Sequence, residues 1–126
     1  MRGESAVLLV FYPFAFSRTC TGELCALRDD IGSFRTAGVQ VVGVSCDPKP
    51  ALRAWAGQED FDFPLLSDFW PHGEVAKTYG SFFEPAGMAA RGSFLVDRAG
   101  VLRWSVLNGP GEARDLAAYA RAVAAL

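Results

Sequence analysis

Residues 6–24, AVLLVFYPFAFSRTCTGEL, contain the transition from strand to helix that decides the fold. The first seven of them, AVLLVFY, form an uninterrupted apolar run, which predicts a strand buried on both faces of a sheet. Pro13 ends this strand, and a short loop follows it. Ser17 or Thr19 can cap the helix that begins after the loop. The segment is therefore the first half of a parallel β-α-β unit.

The rest of the chain continues this alternation of strands and helices. Apolar residues at three- and four-residue spacing (Leu24, Leu27, Ile31 and Phe34) predict that the first helix runs to Gly38. The elements predicted after it are a strand at 39–46, a helix with Asp47 as N-cap and Pro48 at its first position, a strand at 61–66, a helix at 71–79, a loop at 81–90, a hairpin of strands 91–97 and 101–107, and a helix at 112–126. This order predicts a single α/β domain, residues 1–126, with a thioredoxin-like three-layer sandwich.

The composition excludes several classes of function. The 126 residues are 51% apolar and 21% charged, with a net charge of -2 and no basic cluster, so no nucleic-acid partner is expected. The apolar runs are far shorter than the roughly 20 residues of a membrane helix, so no membrane partner is expected. Three cysteines, an odd number, predict reduced thiols and a cytoplasmic protein. One histidine and no C-x-x-C pair predict neither a metal site nor a cofactor.

Pro13, Ser17 and Cys20 form the pattern P-x-x-x-S-x-x-C at the start of the first helix. A thiol in the first turn of a helix meets free backbone N–H groups and the positive end of the helix dipole, which favour the nucleophilic thiolate. Ser17 offers a hydroxyl near the sulfur, and Pro13 can shield one side of it from water. Two alternatives remain: Cys20 could be a buried structural thiol, and Ser17 could serve only to cap the helix. Cys46 ends a buried strand and is expected in the core.

This loop resembles the active-site loop of peroxiredoxins, whose motif is P-x-x-x-S/T-x-x-C. The stretches LLSDFWPHG (65–73) and RGSFLVDRAGVLR (91–103) are also similar to peroxiredoxins, most of all to their AhpE branch. The resemblance implies that Cys20 is the peroxidatic cysteine and that Ser17 and Pro13 are its partners in the loop. The first oxidation product would be a sulfenic acid.

The resemblance also implies roles for two residues outside the loop. Arg91 matches the arginine that faces the sulfur, where it would lower the thiol pKa and stabilise the charge on the departing oxygen. Glu23 matches a helix glutamate of the AhpE branch, three residues after the cysteine, and is expected to orient an arginine. Taken alone, Arg91 could instead pair with a surface carboxylate, and Glu23 could complement the helix dipole.

Two features depart from the peroxiredoxin pattern. Peroxiredoxins carry about thirty residues before the strand that starts here at Ala6. A segment of that length is longer than a typical loop, and in the family it forms a hairpin and an edge strand. We expect this hairpin and strand to be missing here. One edge of the sheet would then be open to pairing. Cys25 is the second departure, because the AhpE branch typically lacks it whereas the PrxQ branch has a cysteine five residues after the first. We therefore expect Cys25 to resolve the sulfenic acid of Cys20.

Helix geometry constrains that resolving step. Five residues of intact helix separate Cys20 and Cys25 by about 7.5 Å along the axis and about 140° around it. Their Cα atoms then lie beyond the roughly 7 Å limit for a disulfide, so the first helical turns must unwind. Thr21 and Gly22, both poor helix formers, favour unwinding. The alternative is a one-cysteine cycle, in which a small thiol caps Cys20.

The sequence thus predicts a thiol peroxidase that reduces hydrogen peroxide, organic hydroperoxides or peroxynitrite through Cys20. A thioredoxin-type or low-molecular-weight thiol would be its reductant, and aromatic residues of 11–16 and Trp70 would pair two copies as a homodimer. Two other functions remain open. One is a thioredoxin-like disulfide oxidoreductase that uses Cys20 and Cys25, and the other is a non-catalytic redox or interaction module.

Overall fold

The computed structural model describes residues 5–108 and 114–126, with the backbone alone at positions 18–20 and 116. The strands are β1 (Ala6–Phe11), β2 (Val39–Ser45), β3 (Leu65–Ser67), β4 (Phe82–Phe83), β5 (Met88–Ala89), β6 (Arg91–Val96) and β7 (Leu102–Asn108). The helices are α1 (Arg18–Asp29), α2 (Ile31–Thr36), α3 (Lys49–Glu59), α4 (Glu74–Thr78) and α5 (Leu116–Ala124). The alternation of strands and helices agrees with the sequence prediction.

Strand β1 lies at the centre of a five-stranded sheet with the order β3-β2-β1-β6-β7. It pairs in parallel with β2 and antiparallel with β6, so that Leu8 is opposite Val41 on one side and Leu95 on the other. All three side chains are buried. The central position explains the continuous apolar run, because a strand with neighbours on both sides and layers on both faces buries residues on both faces. Val7 and Leu9 are half-buried, and the other four residues of β1 are buried.

Successive side chains of β1 point to opposite faces of the sheet, and both faces are covered. Leu8 and Val10 belong to a core that includes residues of α1, α2, α3 and α5. Phe11 belongs to a second core, with residues of α4, β4 and β5. The sheet therefore lies between two layers, as predicted. Within the part of the chain that the structure describes, no helix has the length and apolar character needed to cross a bilayer.

The first predicted helix is two helices, α1 and α2, which meet at Asp30. The backbone of Asp30 (φ -108°, ψ 13°) leaves the helical conformation, and its carboxylate accepts a hydrogen bond from Ser33 Oγ at 2.9 Å. Such local bonds compete with the helix. The apolar spacing was nevertheless informative, because Leu27 and Phe34 pack into the same core. Gly38, with φ +77°, follows the second helix.

The strand predicted at 61–66 is wrong in its extent, since β3 begins only at Leu65. Pro64 has no N–H to donate to a neighbouring strand. The rings of Phe61 and Phe63 stack with their centroids 5.4 Å apart, and the Phe61 ring meets the Trp55 ring edge-on, with 4.9 Å between the centroids. Packing of these aromatic rings against α3 thus replaces pairing in the sheet.

Two further predictions of local structure need correction. The predicted loop at 81–90 contains the two-stranded ribbon of β4 and β5, joined by a 3₁₀ turn at Glu84–Ala86. Gly87 closes that turn with φ +60°, and the segment is too short to show a strand period. The helix predicted at 71–79 is the shorter α4.

The starts of α3 and α5 also differ from expectation. Asp47 is not the N-cap of α3, because Pro48 occupies that position and no side chain caps the helix. The N-cap of α5 is Asp115, whose carboxylate accepts a hydrogen bond from Ala117 N at 3.1 Å. Residues 112 and 113 of the predicted last helix lie outside the described residues.

The hairpin of β6 and β7 forms as predicted, and Asp97 stabilises its turn. Its Oδ1 accepts hydrogen bonds from the backbone N–H groups of Ala99 and Val101, both at 2.9 Å. Arg103 Nε donates to Oδ2 at 2.5 Å. These hydrogen bonds lower the pKa of Asp97, and the one from the Val101 N–H has the largest effect. Gly100 supplies the left-handed residue of the turn, with φ +83°.

Candidate active site

The candidate site begins in the loop between β1 and α1. Pro13 is buried at the start of this loop, and Ser17 occupies the N-cap position of α1 with extended backbone angles. Cys20 is the third residue of α1, so its backbone lies in the first turn of the helix, as the sequence predicts. Its thiol lies outside the described side chains. Free N–H groups at this helix start are available to an anion.

Ser17 does not cap α1 with its side chain. Its hydroxyl donates instead to the carbonyl of Phe14 at 3.0 Å, while its own carbonyl accepts the Thr21 N–H at 2.8 Å. A hydroxyl has one donor and two acceptor positions. With the proton directed at Phe14, the Ser17 oxygen is suited to accept a hydrogen bond from a hydroxyl or guanidinium group.

Arg91 and Glu23 form a buried ion pair. The guanidinium of Arg91, at the start of β6, donates from Nη1 to Oε1 of Glu23 on α1. The two side chains are only 6% and 9% exposed, which sets them apart from the surface ion pairs of this chain. The structure thus brings together the arginine and the glutamate that the sequence singles out, across 68 residues of chain.

Arg114 completes this cluster, and sequence reasoning missed it. Its backbone N–H donates to the second oxygen of Glu23 at 2.8 Å, and its Nε lies 3.5 Å from the first. The guanidinium is 1% exposed and donates to the Phe11 carbonyl, to Ser93 Oγ at 2.8 Å and to the Gly92 carbonyl at 3.3 Å. The sequence prediction places Arg114 in the helix at 112–126, and no pattern there sets it apart from the other charged residues.

The charges of this cluster favour an anion beside it. One carboxylate, Glu23, and two guanidinium groups, Arg91 and Arg114, sum to +1 in a buried environment. Positions 20 and 23 of α1 are three residues apart and hence neighbours on one helix face. Excess positive charge and a helix N-terminus therefore act on the same place, where a thiolate or a departing oxygen would be stabilised.

Cys25 is not part of this cluster. Its Sγ donates to Oε1 of Glu59, the last residue of α3, at 3.3 Å. Burial, followed by this hydrogen bond, raises the pKa of the Cys25 thiol. Arg28 Nη1 donates to the Glu59 carbonyl at 2.6 Å and so ties the same helices together. In folded α1, Cys25 is held as a neutral thiol.

Cys46 is buried in the core, as predicted. Burial is also the main cause that raises its pKa to about 11. A thiol of that pKa is a poor nucleophile at neutral pH. Among the residues described, no group of three His, Cys, Asp or Glu side chains is arranged to hold a metal ion.

Comparison with known proteins assigns this arrangement to a family. The chain matches the AhpC/TSA family over residues 1–105. It is also 49% identical over 125 residues to alkyl hydroperoxide reductase E of Mycobacterium tuberculosis, with 99% of this chain and 82% of that protein covered. The chain belongs to the AhpC/TSA family. It is therefore a peroxiredoxin, an enzyme with thiol-dependent peroxidase activity, and the alternatives of another redox class or a non-catalytic module are set aside.

Other AhpC/TSA relatives agree in sequence and fold. The chloroplastic 2-Cys peroxiredoxin BAS1 of Spinacia oleracea is 32% identical over 98% of this chain and 49% of that protein. The crystal structure of reduced Plasmodium vivax 2-Cys peroxiredoxin superposes with a TM-score of 0.89 at 27% identity, covering 98% and 77% of the two chains. Enterococcus faecalis AhpC gives 0.89 at 29% identity, covering 96% and 74%. These matches confirm the thioredoxin-like fold.

Proposed function

We propose that this peroxiredoxin reduces hydrogen peroxide, organic hydroperoxides or peroxynitrite at Cys20. The observation that carries the proposal is the buried cluster of Arg91, Glu23 and Arg114 beside the first turn of α1. Such a cluster supplies fixed positive charge where a thiolate must form and where a peroxide oxygen must leave. Three segments that are distant in the sequence converge to form this cluster, and a buried structural thiol does not need such a cluster.

In the proposed step, the Cys20 thiolate attacks one oxygen of the peroxide. The S–O bond forms as the O–O bond breaks, and the departing oxygen takes both electrons of the O–O bond and then a proton. Cys20 becomes a sulfenic acid, oxidised by the two electrons that reduce the peroxide. Arg91 stabilises the departing oxygen, and Ser17 accepts a hydrogen bond from the peroxide or from a guanidinium group. Pro13 shields one side of the sulfur.

We further propose that Cys25 resolves the sulfenic acid. Its sulfur attacks that of Cys20, the S–S bond forms, and the hydroxyl leaves with the Cys25 proton as water. Intact α1 opposes this step, because Cys25 is neutral and bonded to Glu59. Unwinding of residues 20–27 must therefore come first, and the disulfide forms more slowly than the sulfenic acid. The competing candidate is a one-cysteine cycle, which the neutral, bonded state of Cys25 favours.

The proposed partners follow from this cycle. A thioredoxin-type protein or a low-molecular-weight thiol returns Cys20 to the thiol. A second copy pairs through the aromatic surface near the loop, where Phe14, Phe16, Phe69 and Trp70 are 44%, 49%, 49% and 83% exposed. Phe11 does not contribute, because it is fully buried. We place the enzyme in the cytoplasm, where its thiols stay reduced.

Single-turnover peroxide consumption tests the proposal. We expect rapid consumption of one equivalent of hydrogen peroxide by the wild type, with a sulfenic acid or disulfide at Cys20 by mass spectrometry. Cys20→Ser should abolish it, whereas Cys25→Ser and Cys46→Ser should keep the initial rate, because neither thiol contacts the charged cluster. A Cys20→Ser variant that reacts as fast as the wild type would falsify the assignment.

A further inference from the structure

We propose that Asp47 is a positioning residue for the active-site loop. Its carboxylate holds residues 13–17 in the conformation that sets Cys20 at the start of α1 next to the Arg91–Glu23–Arg114 cluster. The inference rests on the proposed role of Cys20. Asp47 lies two residues after the end of β2 and is remote in the sequence from the loop that it holds.

The decisive contact joins the Asp47 carboxylate to the middle of the loop. The backbone N–H of Ala15 donates to Asp47 Oδ2 at 2.7 Å, across 32 residues of chain. Hydrogen bonds to a charged acceptor are shorter and about twice as strong as those between neutral groups. This bond therefore connects the loop to the end of the sheet.

Asp47 is itself held from two sides. The hydroxyl of Ser45, which is fully buried, donates to the same Oδ2 at 2.7 Å. Ser67 Oγ donates to the Asp47 carbonyl at 2.7 Å, and this serine ends β3. The carboxylate of Asp47 is thus held by the end of β2, and its backbone by the end of β3. A group anchored in this way can impose a conformation on the loop, rather than follow the loop as it moves.

The loop needs such an external restraint, because its backbone is strained. Phe16 adopts φ +66°, a left-handed conformation that is unfavourable for a bulky residue. Strain of this kind persists only where the surroundings impose it, and it is concentrated at functional sites. Phe16 directly follows Ala15, whose N–H is bound by Asp47, and directly precedes the N-cap of α1. Releasing Ala15 lets this turn relax and shifts the helix start.

The same bond explains why Asp47 does not cap α3. The sequence places Asp47 before a proline, a typical capping context, yet its carboxylate is bonded to Ala15 and Ser45. Helix α3 begins without a side-chain cap. A cap is worth about 1 kcal/mol, and forgoing it indicates that the carboxylate serves another element.

Three substitutions at Asp47 separate geometry from charge. Asp47→Ala removes the acceptor, Asp47→Glu keeps the charge but moves the carboxylate by one methylene, and Asp47→Asn keeps an acceptor oxygen at the same distance without the charge. Misplacement of a reacting group by about 1 Å can cost about 10²-fold in rate. We expect Asp47→Ala and Asp47→Glu to slow the oxidation of Cys20 by hydrogen peroxide about 10- to 100-fold, and Asp47→Asn to restore most of the wild-type rate.

The matched control is Asp62→Ala, which removes an exposed carboxylate that pairs with Arg35. Stopped-flow oxidation gives the rate, and alkylation of the Cys20 peptide as a function of pH gives its pKa. We expect a raised Cys20 pKa in Asp47→Ala and Asp47→Glu, and no change in Asp62→Ala. A purely structural role would lower the melting temperature without moving this pKa. Asp47→Glu keeps the test available if Asp47→Ala does not fold.

Each outcome bears on a distinct claim. If the wild type consumes peroxide and a folded Asp47→Ala or Asp47→Glu reacts at the wild-type rate, the Asp47 inference is overturned and the proposed function stands. If Asp47→Asn and Asp47→Ala are equally slow and neither raises the pKa of Cys20, the charge of Asp47 and not the position of the loop matters, and the inference is again overturned. If the wild type does not consume peroxide, both claims fail together.

Discussion

Glu23 connects two arginines that are remote from it in the sequence, and the pairing has consequences for each. A buried carboxylate left without a partner costs several kcal/mol, because the protein interior solvates it poorly. Glu23 has two partners, Arg91 and Arg114. Loss of one arginine therefore leaves the carboxylate paired with the other. This redundancy makes it possible to test the chemistry of Arg91 separately from the fold.

We expect Arg91→Ala to slow the oxidation of Cys20 by about 10²- to 10³-fold, the usual effect of removing one preorganised donor. It should also raise the pKa of Cys20, while circular dichroism and the melting transition show a folded protein. Stopped-flow oxidation and alkylation as a function of pH measure the two effects. Unchanged rates and an unchanged pKa would show that Arg91 only pairs with Glu23.

Cys46 makes the free energy of unfolding of this protein depend on pH in the alkaline range. Burial raises its pKa from 9.0 to about 11 in the folded protein, so the unfolded thiol loses its proton first as the pH rises. The stability from this group is fully present below pH 9 and is lost between pH 9 and pH 11. The loss amounts to about 2–3 kcal/mol. We expect urea unfolding of Cys46→Ala to show a smaller decrease in stability over this range than the wild type. Equal slopes would contradict the shift.

At the scale of elements, α1 has two parts with different restraints. Its N-terminal part contains Thr21 and Gly22, poor helix formers, and is joined to the middle of α3 by a hydrogen bond from Trp55 Nε1 to Thr21 Oγ1 at 3.2 Å. Its later part is bonded to the end of α3, through Cys25 to the Glu59 carboxylate and through Arg28 to the Glu59 carbonyl. Unwinding that reaches Cys25 must break the first of these bonds. In the proposed cycle, Glu59 thereby controls how readily Cys25 meets Cys20.

We expect Glu59→Ala to speed formation of the Cys20–Cys25 disulfide about five- to tenfold, because a hydrogen bond contributes roughly 1 kcal/mol. The pKa of Cys25 should fall as well. Peptide mapping at intervals after one equivalent of peroxide measures the disulfide, and Glu84→Ala is the exposed control. A mixed disulfide on Cys20 with Cys25 free, or a Cys20–Cys46 bond, would refute the resolving role.

At the scale of the whole molecule, the apolar surface beside the loop is the feature that a second copy would cover. Trp70 is its most exposed member, at 83%. We expect a dimer by light scattering at micromolar concentration, and a monomer for Trp70→Glu, because a charge buried in an apolar interface is unfavourable. The variant should keep the single-turnover rate of Cys20. A monomeric wild type at that concentration would contradict the pairing.

The sequence by itself determined the elements that depend on neighbouring residues. The apolar run of β1 predicts a central strand, because burial on both faces demands it. The spacing of Pro13, Ser17 and Cys20 predicts a reactive loop before a helix, because helix polarity is a local property. Element boundaries were less accurate, as at Asp30 and Pro64, where a side-chain bond or aromatic packing competes with the helix or strand.

Only the tertiary structure decided which charged groups meet. Arg114 reaches Glu23 across 91 residues, Asp47 reaches Ala15 across 32, and Glu59 reaches Cys25 across 34. A buried hydrogen bond or ion pair depends on distance, direction and exclusion of water. These quantities exist only after the strands and helices have packed. The local sequence around Asp47 predicted a helix cap, because the contact with Ala15 is not visible in it. In the folded chain the Asp47 carboxylate binds the Ala15 N–H in the loop between β1 and α1.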